Sequence, residues 1–502
     1  MNRGSNNVSV SGIVRGGIWL YVNSVLGSLL GYAYWLVISK IIGSEAVGIS
    51  SGVISLVSII TTLILFGIPN GMMRFLGIAL GRDDVNSLEQ YFWSGCAFCA
   101  INSFIASIII ALLAHKGISI YGVKGSMLYF TSILTLFSVT NAYNSLFIAS
   151  LRTEYAMFSQ TIAKVARFIS GIPLVLWGLG WKGALYGIVF GSLSSFIIST
   201  YFSLKVLINF GANIKPTLSI TLLKDLVTAG IAAWIPNLVG TLGQWLGILS
   251  VYSEEGAAVG GYYYIAYMIY TIAIFLPLSL VQLMFPVLSG MRDGRKRALW
   301  RVTKLSLALG VIISAMIVAN SKEILSLMGH EYSRASGALI MLSIGLIPAL
   351  LARSIVSLVY AYGLYSYVTL LGMATNIPRI TLYTLLVRRM SDLGAALAFF
   401  IGSITGFIAS LIIARKVGFK FRWKDIMLSL AVYIIFIAFK LIKMPWILSL
   451  LISSMVSFIT FSRLGLITKD DLKEVSRAIL TEEQIKKLSN RVDFLIRILY
   501  GE

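Results

Sequence analysis

Lys164 and Arg167 stand three residues apart inside one apolar stretch, and Arg353 and Arg379 each stand alone inside another. Three residues is close to one helical turn, so Lys164 and Arg167 share a helix face. Each stretch is long enough to cross a hydrocarbon core about 30 Å thick, which takes about 20 residues. A cation at the centre of such a helix costs about 2.5–3.5 kcal/mol on the insertion scale if it faces lipid. The four are therefore expected to face a watery cavity or each other's helices. All twenty Asp and Glu residues fall in loops, at helix ends or in the tail, so no carboxylate within a span balances them. A cavity of that kind attracts an anion, and phosphate or pyrophosphate suits the guanidinium fork best.

Position along the helices separates the four. Lys164 and Arg167 lie roughly 12–17 Å from the end of their helix, near the midplane. Arg379 follows Pro378, whose missing N–H is expected to bend its helix. Arg353 lies nearer a helix end, where it either lines the cavity or snorkels to the headgroups. Arg15 and Arg74, near inner helix ends, are read as anchors or as contacts at the inner mouth. Other chemistry is sparse. There is no Walker A loop, and Cys96 and Cys99 form a lone CxxC inside a helix. His115 and His330 are isolated loop residues without metal spacing. No metal or cofactor is expected, and nothing supports catalysis.

The elements that must position these cations follow from composition. At 58% hydrophobic and 12% charged, the 502 residues exclude a soluble protein, which carries about 25% charged residues. A net charge of +21 points to basic inner loops and anionic lipid, with no nucleic-acid partner. The apolar runs predict an all-α polytopic protein of about fourteen transmembrane helices, among them 126–150, 363–388 and 394–415. With the amino terminus inside, inner segments hold 27 of the 41 Lys and Arg, outer segments ten, and spans four. The positive-inside rule then places both termini in the cytoplasm of a cell-membrane protein.

Ala46-Val47-Gly48 and Ala258-Val259-Gly260 open two helices in matching fashion. Gly183-Ala184-Leu185 and Gly394-Ala395-Ala396-Leu397 open two more at nearly the same offset along the chain. These matches predict two parallel six-helix repeats, 1–211 and 212–418, with two appended helices in 419–464. Parallel repeats of this kind build transporters with the substrate at their interface. Residues 465–502 carry apolar residues at three- and four-residue steps among charges, predicting an amphipathic cytoplasmic tail.

With these features, Ser39-Lys40-Ile41-Ile42-Gly43-Ser44-Glu45, Phe66-Gly67-Ile68-Pro69, Val259-Gly260-Gly261-Tyr262, Phe285-Pro286-Val287-Leu288-Ser289 and Asp392-Leu393-Gly394-Ala395 resemble segments of polysaccharide transporters and O-antigen-type flippases. These belong to the multidrug/oligosaccharidyl-lipid/polysaccharide exporter superfamily. Ala46-Val47 departs from the pattern, which more often has an aromatic before Gly. The resemblance implies two six-helix bundles rocking about a central cavity. It further implies a polyprenyl- or dolichyl-(pyro)phosphate-linked oligosaccharide carried to the outer leaflet, with membrane lipids and glycan-assembly enzymes as partners. The alternatives are an ion-coupled drug or metabolite exporter of the same superfamily, or a membrane glycosyltransferase or polymerase. The cavity residues Lys164, Arg167, Arg353 and Arg379 rest on the charge argument alone.

Overall fold

The computed structural model describes residues 10–213, 219–291, 293–442 and 445–466; the side chains of 10–26, 28, 29, 283, 285–287 and 290 are outside that description. The chain runs through α1 (Val10–Ile64), α2 (Ile68–Gly81), α3 (Val85–His115), α4 (Ser126–Leu136) and α5 (Thr140–Ala149). It continues through α6 (Thr153–Leu174), α7 (Gly180–Asn209), α8 (Ile220–Glu255), α9 (Ala257–Gly290), α10 (Arg295–Ala319) and α11 (Ser321–Ser326). α12 (Ser336–Ala361), α13 (Tyr365–Lys416), α14 (Trp423–Leu430), α15 (Val432–Leu441) and α16 (Trp446–Arg463) complete it. The protein is all-α and polytopic. Arg15 lies on α1 among the side chains outside the description, and the expected amphipathic tail lies beyond the described residues after Leu466.

Ten helices among the described residues are long and apolar enough to cross a membrane. Two of these stretches, Thr153–Asn209 and Tyr365–Lys416, run 57 and 52 residues. At about 1.5 Å per residue each is more than twice the thickness of the core, so each carries two passages. The backbone leaves the helical region at Gly178 (φ 87°) in the first and at Ser391 (φ 55°) in the second. α1 breaks likewise at Gly43 (φ 74°). On α3, Ile101, Phe104, Ile105, Ile108, Ile109 and Leu112 are all exposed along one stripe. A face of that kind suits lipid and not water.

Described residues up to Tyr264, together with Ile380–Ala395, form one compact unit; those of Ile265–Arg379 and from Ala396 onward form a second. In the first unit, backbone meets backbone at glycines. Gly67 of the turn before α2 lies against the Gly230 carbonyl of α8, and Gly71 against that of Leu226. Gly187 of α7 sits so close to Gly171 of α6 that a Cβ would fall 2.6 Å from the Gly171 Cα. Small residues at an interface permit this approach, which dispersion then rewards. Ser103 and Ser107 of α3 bond across to Ser138 (2.6 Å) and Ser132 (2.8 Å). The expected passage 126–150 is present as Ser126–Ala149, tightened midway by a 3-10 turn, Phe137–Val139, between α4 and α5. Ser138, held by Ser103, sits in the middle of that turn.

In the second unit, Leu299, Leu307 and Val311 of α10 are buried in one cluster with Leu350, Ile355 and Leu358 of α12. Ser314 of α10 donates to the Ser343 carbonyl of α12 (2.6 Å) and pairs with the Tyr433 hydroxyl of α15 (2.6 Å). At Pro378 the backbone dihedrals of α13 stay helical, and its interior break lies at Ser391. Proline removes the donor that the carbonyl four residues back would use. That carbonyl, Ala374, instead accepts the Thr405 hydroxyl at 2.8 Å from the other arm of α13.

Candidate functional site

Arg167 lies on α6, where the helix faces α1. Its guanidinium carbon stands 4.0 Å from the centre of the Tyr34 ring and 4.9 Å from that of Trp35. Both rings are fully buried. The Tyr34 hydroxyl donates to the Ala184 carbonyl at 2.9 Å, fixing the ring between α6 and α7. Phe168 and Tyr264 pack edge-on against Tyr34 and Trp35 at 5.5 Å each. The guanidinium is thus held flat by cation–π contact. Its Nε and Nη2 are buried and, among the described residues, have no hydrogen-bond partner. Lys164, one turn back and half-buried, rests its ammonium against the bare Cα of Gly27 on α1. A side chain on residue 27 would occupy that place. Arg167 is the charged group that acts on Lys164.

The second unit holds Arg379 and Arg353. Arg379 is 7% exposed, and its guanidinium lies 3.6 Å from the centre of the Phe399 ring. Its donors are occupied: Nε bonds the Phe399 backbone carbonyl (3.3 Å), Nη2 the Ser403 hydroxyl (2.8 Å) and Nη1 the Asn376 side-chain amide oxygen Oδ1 (3.5 Å). Arg353 on α12 keeps an exposed side chain, close enough to Arg379 and Tyr270 to feel both electrostatically. Tyr270 packs edge-on to Phe399 at 5.1 Å.

The structure therefore brings the four intramembrane cations together as two pairs, each with aromatic rings and, among the described residues, without an ion-paired carboxylate. Arg74 on α2 is exposed, its guanidinium 5.6 Å from the centre of the neighbouring Phe75 ring. Sequence reasoning missed Tyr34, Trp35, Asn376, Phe399 and Ser403. The aromatic run Tyr32-Ala33-Tyr34-Trp35 was a usable signal, because it lies at mid-depth in a span. Ser403 and Asn376 carried none, since hydroxyl and amide residues are common throughout these helices. The described residues contain no cluster of His, Cys, Asp and Glu able to hold a metal.

The fold has solved counterparts. A structure of the lipid II flippase MurJ, in an inward closed conformation, superposes with a TM-score of 0.72 at 15% identity, covering 89% of this chain and all of that one. An inward-facing multidrug resistance MATE transporter of the MOP superfamily gives 0.62 at 14% identity, covering 81% of this chain and 98% of that one. A point mutant of the Vibrio cholerae MATE transporter VcmN gives 0.58 at 15% identity, over 81% and 97%. At such identities the likeness shows the fold alone. No curated protein matches the sequence. A family model described as polysaccharide biosynthesis protein matches residues 13–292. That match spans more than half of the chain and agrees with the motifs around Gly43, Pro69 and Gly260: the chain belongs to the polysaccharide biosynthesis protein family.

Proposed function

We propose that this protein is a flippase, not an enzyme, that moves a polyprenyl- or dolichyl-(pyro)phosphate-linked oligosaccharide from the cytoplasmic to the outer leaflet of the cell membrane. The observation that carries the reading is Arg167, whose guanidinium is clamped by Tyr34 and Trp35 while its Nε and Nη2 have no partner among the described residues. Buried donors in that condition are costly unless a ligand completes them. With Lys164 one turn away, the missing group is an anion. Family membership and the fold shared with the lipid II flippase support a lipid-linked sugar as its bearer. Arg353, with its exposed side chain, is the candidate anion contact of the second unit.

The direct test uses proteoliposomes and a fluorescent polyprenyl-pyrophosphate-linked oligosaccharide. The purified protein is expected to expose inner-leaflet lipid to a membrane-impermeant quencher, faster than empty liposomes do. Export of an organic cation without movement of the lipid would establish the multidrug reading instead.

On the same reading α14 with α15 supplies a fourteenth passage, and both termini are cytoplasmic. The uneven division of Lys and Arg then fixes a topological expectation. A single cysteine at position 295 should react with an impermeant maleimide only from the cytoplasm, and one at position 255 only from outside. Reaction of both from one side would break the topology.

A further inference from the structure

Arg167 and Arg379 are separated along the chain by the same offset that separates Gly48 from Gly260. Their surroundings repeat as well. A Cβ on Gly191 of α7 would fall 2.6 Å from the Ala163 carbonyl oxygen and 3.4 Å from the Arg167 Cβ. A Cβ on Gly402, at almost the same offset from Gly191, would fall 2.5 Å from the Thr375 carbonyl oxygen and would overlap the Arg379 side chain. Ala163 and Thr375 each stand one helical turn before their arginines. Each arginine thus leaves its helix at the same register and lies over a glycine of the helix that follows.

Beyond that shared seat the two differ. Arg167 has Nε and Nη2 without partners and stacks on rings contributed by α1. Arg379 directs Nε and Nη2 to Phe399 and Ser403, one turn apart on the far arm of α13, and stacks on Phe399 itself. The Thr405–Ala374 bond ties the same two arms one turn further on.

We propose that these repeat-related arginines have diverged in role: Arg167 binds the anion, whereas Arg379 is a positioning residue that holds the two arms of α13 in register. Resting on the flippase reading, this assigns the ligand contact to one member of the pair. Arg379 acts on transport through the α13 arms, and its neutral hydrogen-bond acceptors replace the ligand that Arg167 awaits. Lysine cannot reproduce the Arg379 arrangement, because one ammonium cannot reach both the Phe399 carbonyl and the Ser403 hydroxyl in the fixed fork geometry.

The test compares R167K, R379K, S403A and the R379K/S403A double variant in three measurements. These are thermal unfolding, binding of farnesyl pyrophosphate as the probe, and flipping rate against lipid concentration per folded protein. R167K is expected to weaken probe binding about tenfold and raise the half-saturating concentration alike, with unfolding unchanged. R379K is expected to leave both within about twofold while lowering the unfolding temperature and the maximal rate. R379K and S403A should shift unfolding less than additively, since they break one bond. Loss of probe affinity in R379K equal to that in R167K would overturn the assignment. So would an unchanged maximal rate in R379K, which would reduce it to a residue without effect on transport. If wild-type protein neither binds the probe nor moves the lipid, the flippase reading and the Arg167 assignment fall together. The role of Arg379 is then judged on unfolding: full additivity of R379K and S403A would overturn it.

Discussion

Arg167→Ala is expected to cut flipping of the lipid-linked oligosaccharide by at least about tenfold while leaving the protein inserted and as stable as before. A charge-assisted hydrogen bond contributes about 1.5–3 kcal/mol, and each 1.4 kcal/mol is about a factor of ten in affinity. Losing the unpartnered Nε and Nη2 donors of Arg167 therefore removes at least one such bond to the anion. Folding gains and loses in the same substitution. The stack on Tyr34 and Trp35 contributes about 0.5–2 kcal/mol, while relief of buried unsatisfied donors returns about 1–3 kcal/mol. The balance is level or favourable. Lys should restore part of the activity, since it keeps the charge but not the two-pronged geometry. Glu should be the most damaging, because it repels phosphate and can pair with Lys164 one turn away. The check is lipid flipping in proteoliposomes with thermal unfolding measured in parallel. Normal flipping by Ala variants of both Lys164 and Arg167 would make these cations structural.

Gly48→Ala and Gly261→Ala should each destabilise the protein strongly, with Gly48→Val worse than either. A Cβ on Gly48 would run into the Ala257 carbonyl, 2.6 Å from the Ala257 carbon and 2.9 Å from the Gly261 nitrogen. One on Gly261 would meet Ser44 from the other side, 3.0 Å from its carbonyl carbon and 3.1 Å from the Gly48 nitrogen. Every atom named is backbone, so no side chain can rotate away and the two helix starts must separate. Overpacking of this kind costs about 1–3 kcal/mol, and more where nothing yields. Gly77→Ala is the control: nothing lies within 4 Å of its added Cβ, and alanine is the better helix former by about 1 kcal/mol. Unfolding temperatures in one detergent decide the matter. Equal values for Gly48→Ala and Gly77→Ala would show that α1 and α9 tolerate a wider spacing.

The same glycines mark how far the sequence could be read. Ala46-Val47-Gly48 and Ala258-Val259-Gly260 suggested a repeat because the same short segment returns along the chain. That residues from the two helix starts touch through bare backbone was not legible, because no local pattern encodes which helix a glycine faces. Pro378 shows the same limit. The missing N–H was legible, but the hydroxyl on another helical segment that satisfies the freed carbonyl was not. Thr405 supplies it, and the backbone stays helical.

Length, hydropathy and charge by themselves determined that this chain is an all-α polytopic protein with four cations inside its long apolar helical stretches. Those properties follow from transfer free energy, which each segment carries with it wherever it packs. Only the tertiary structure decided what surrounds the cations. Arg167 and Arg379 are alike in residue type, helix register and underlying glycine, and the chain alone assigned both the same role. One meets two aromatic rings from the first helix of the chain, the other a carbonyl and a hydroxyl across the turn at Ser391. Whether a guanidinium is free or engaged depends on acceptors brought in by packing, and packing between distant segments is what sequence order leaves open.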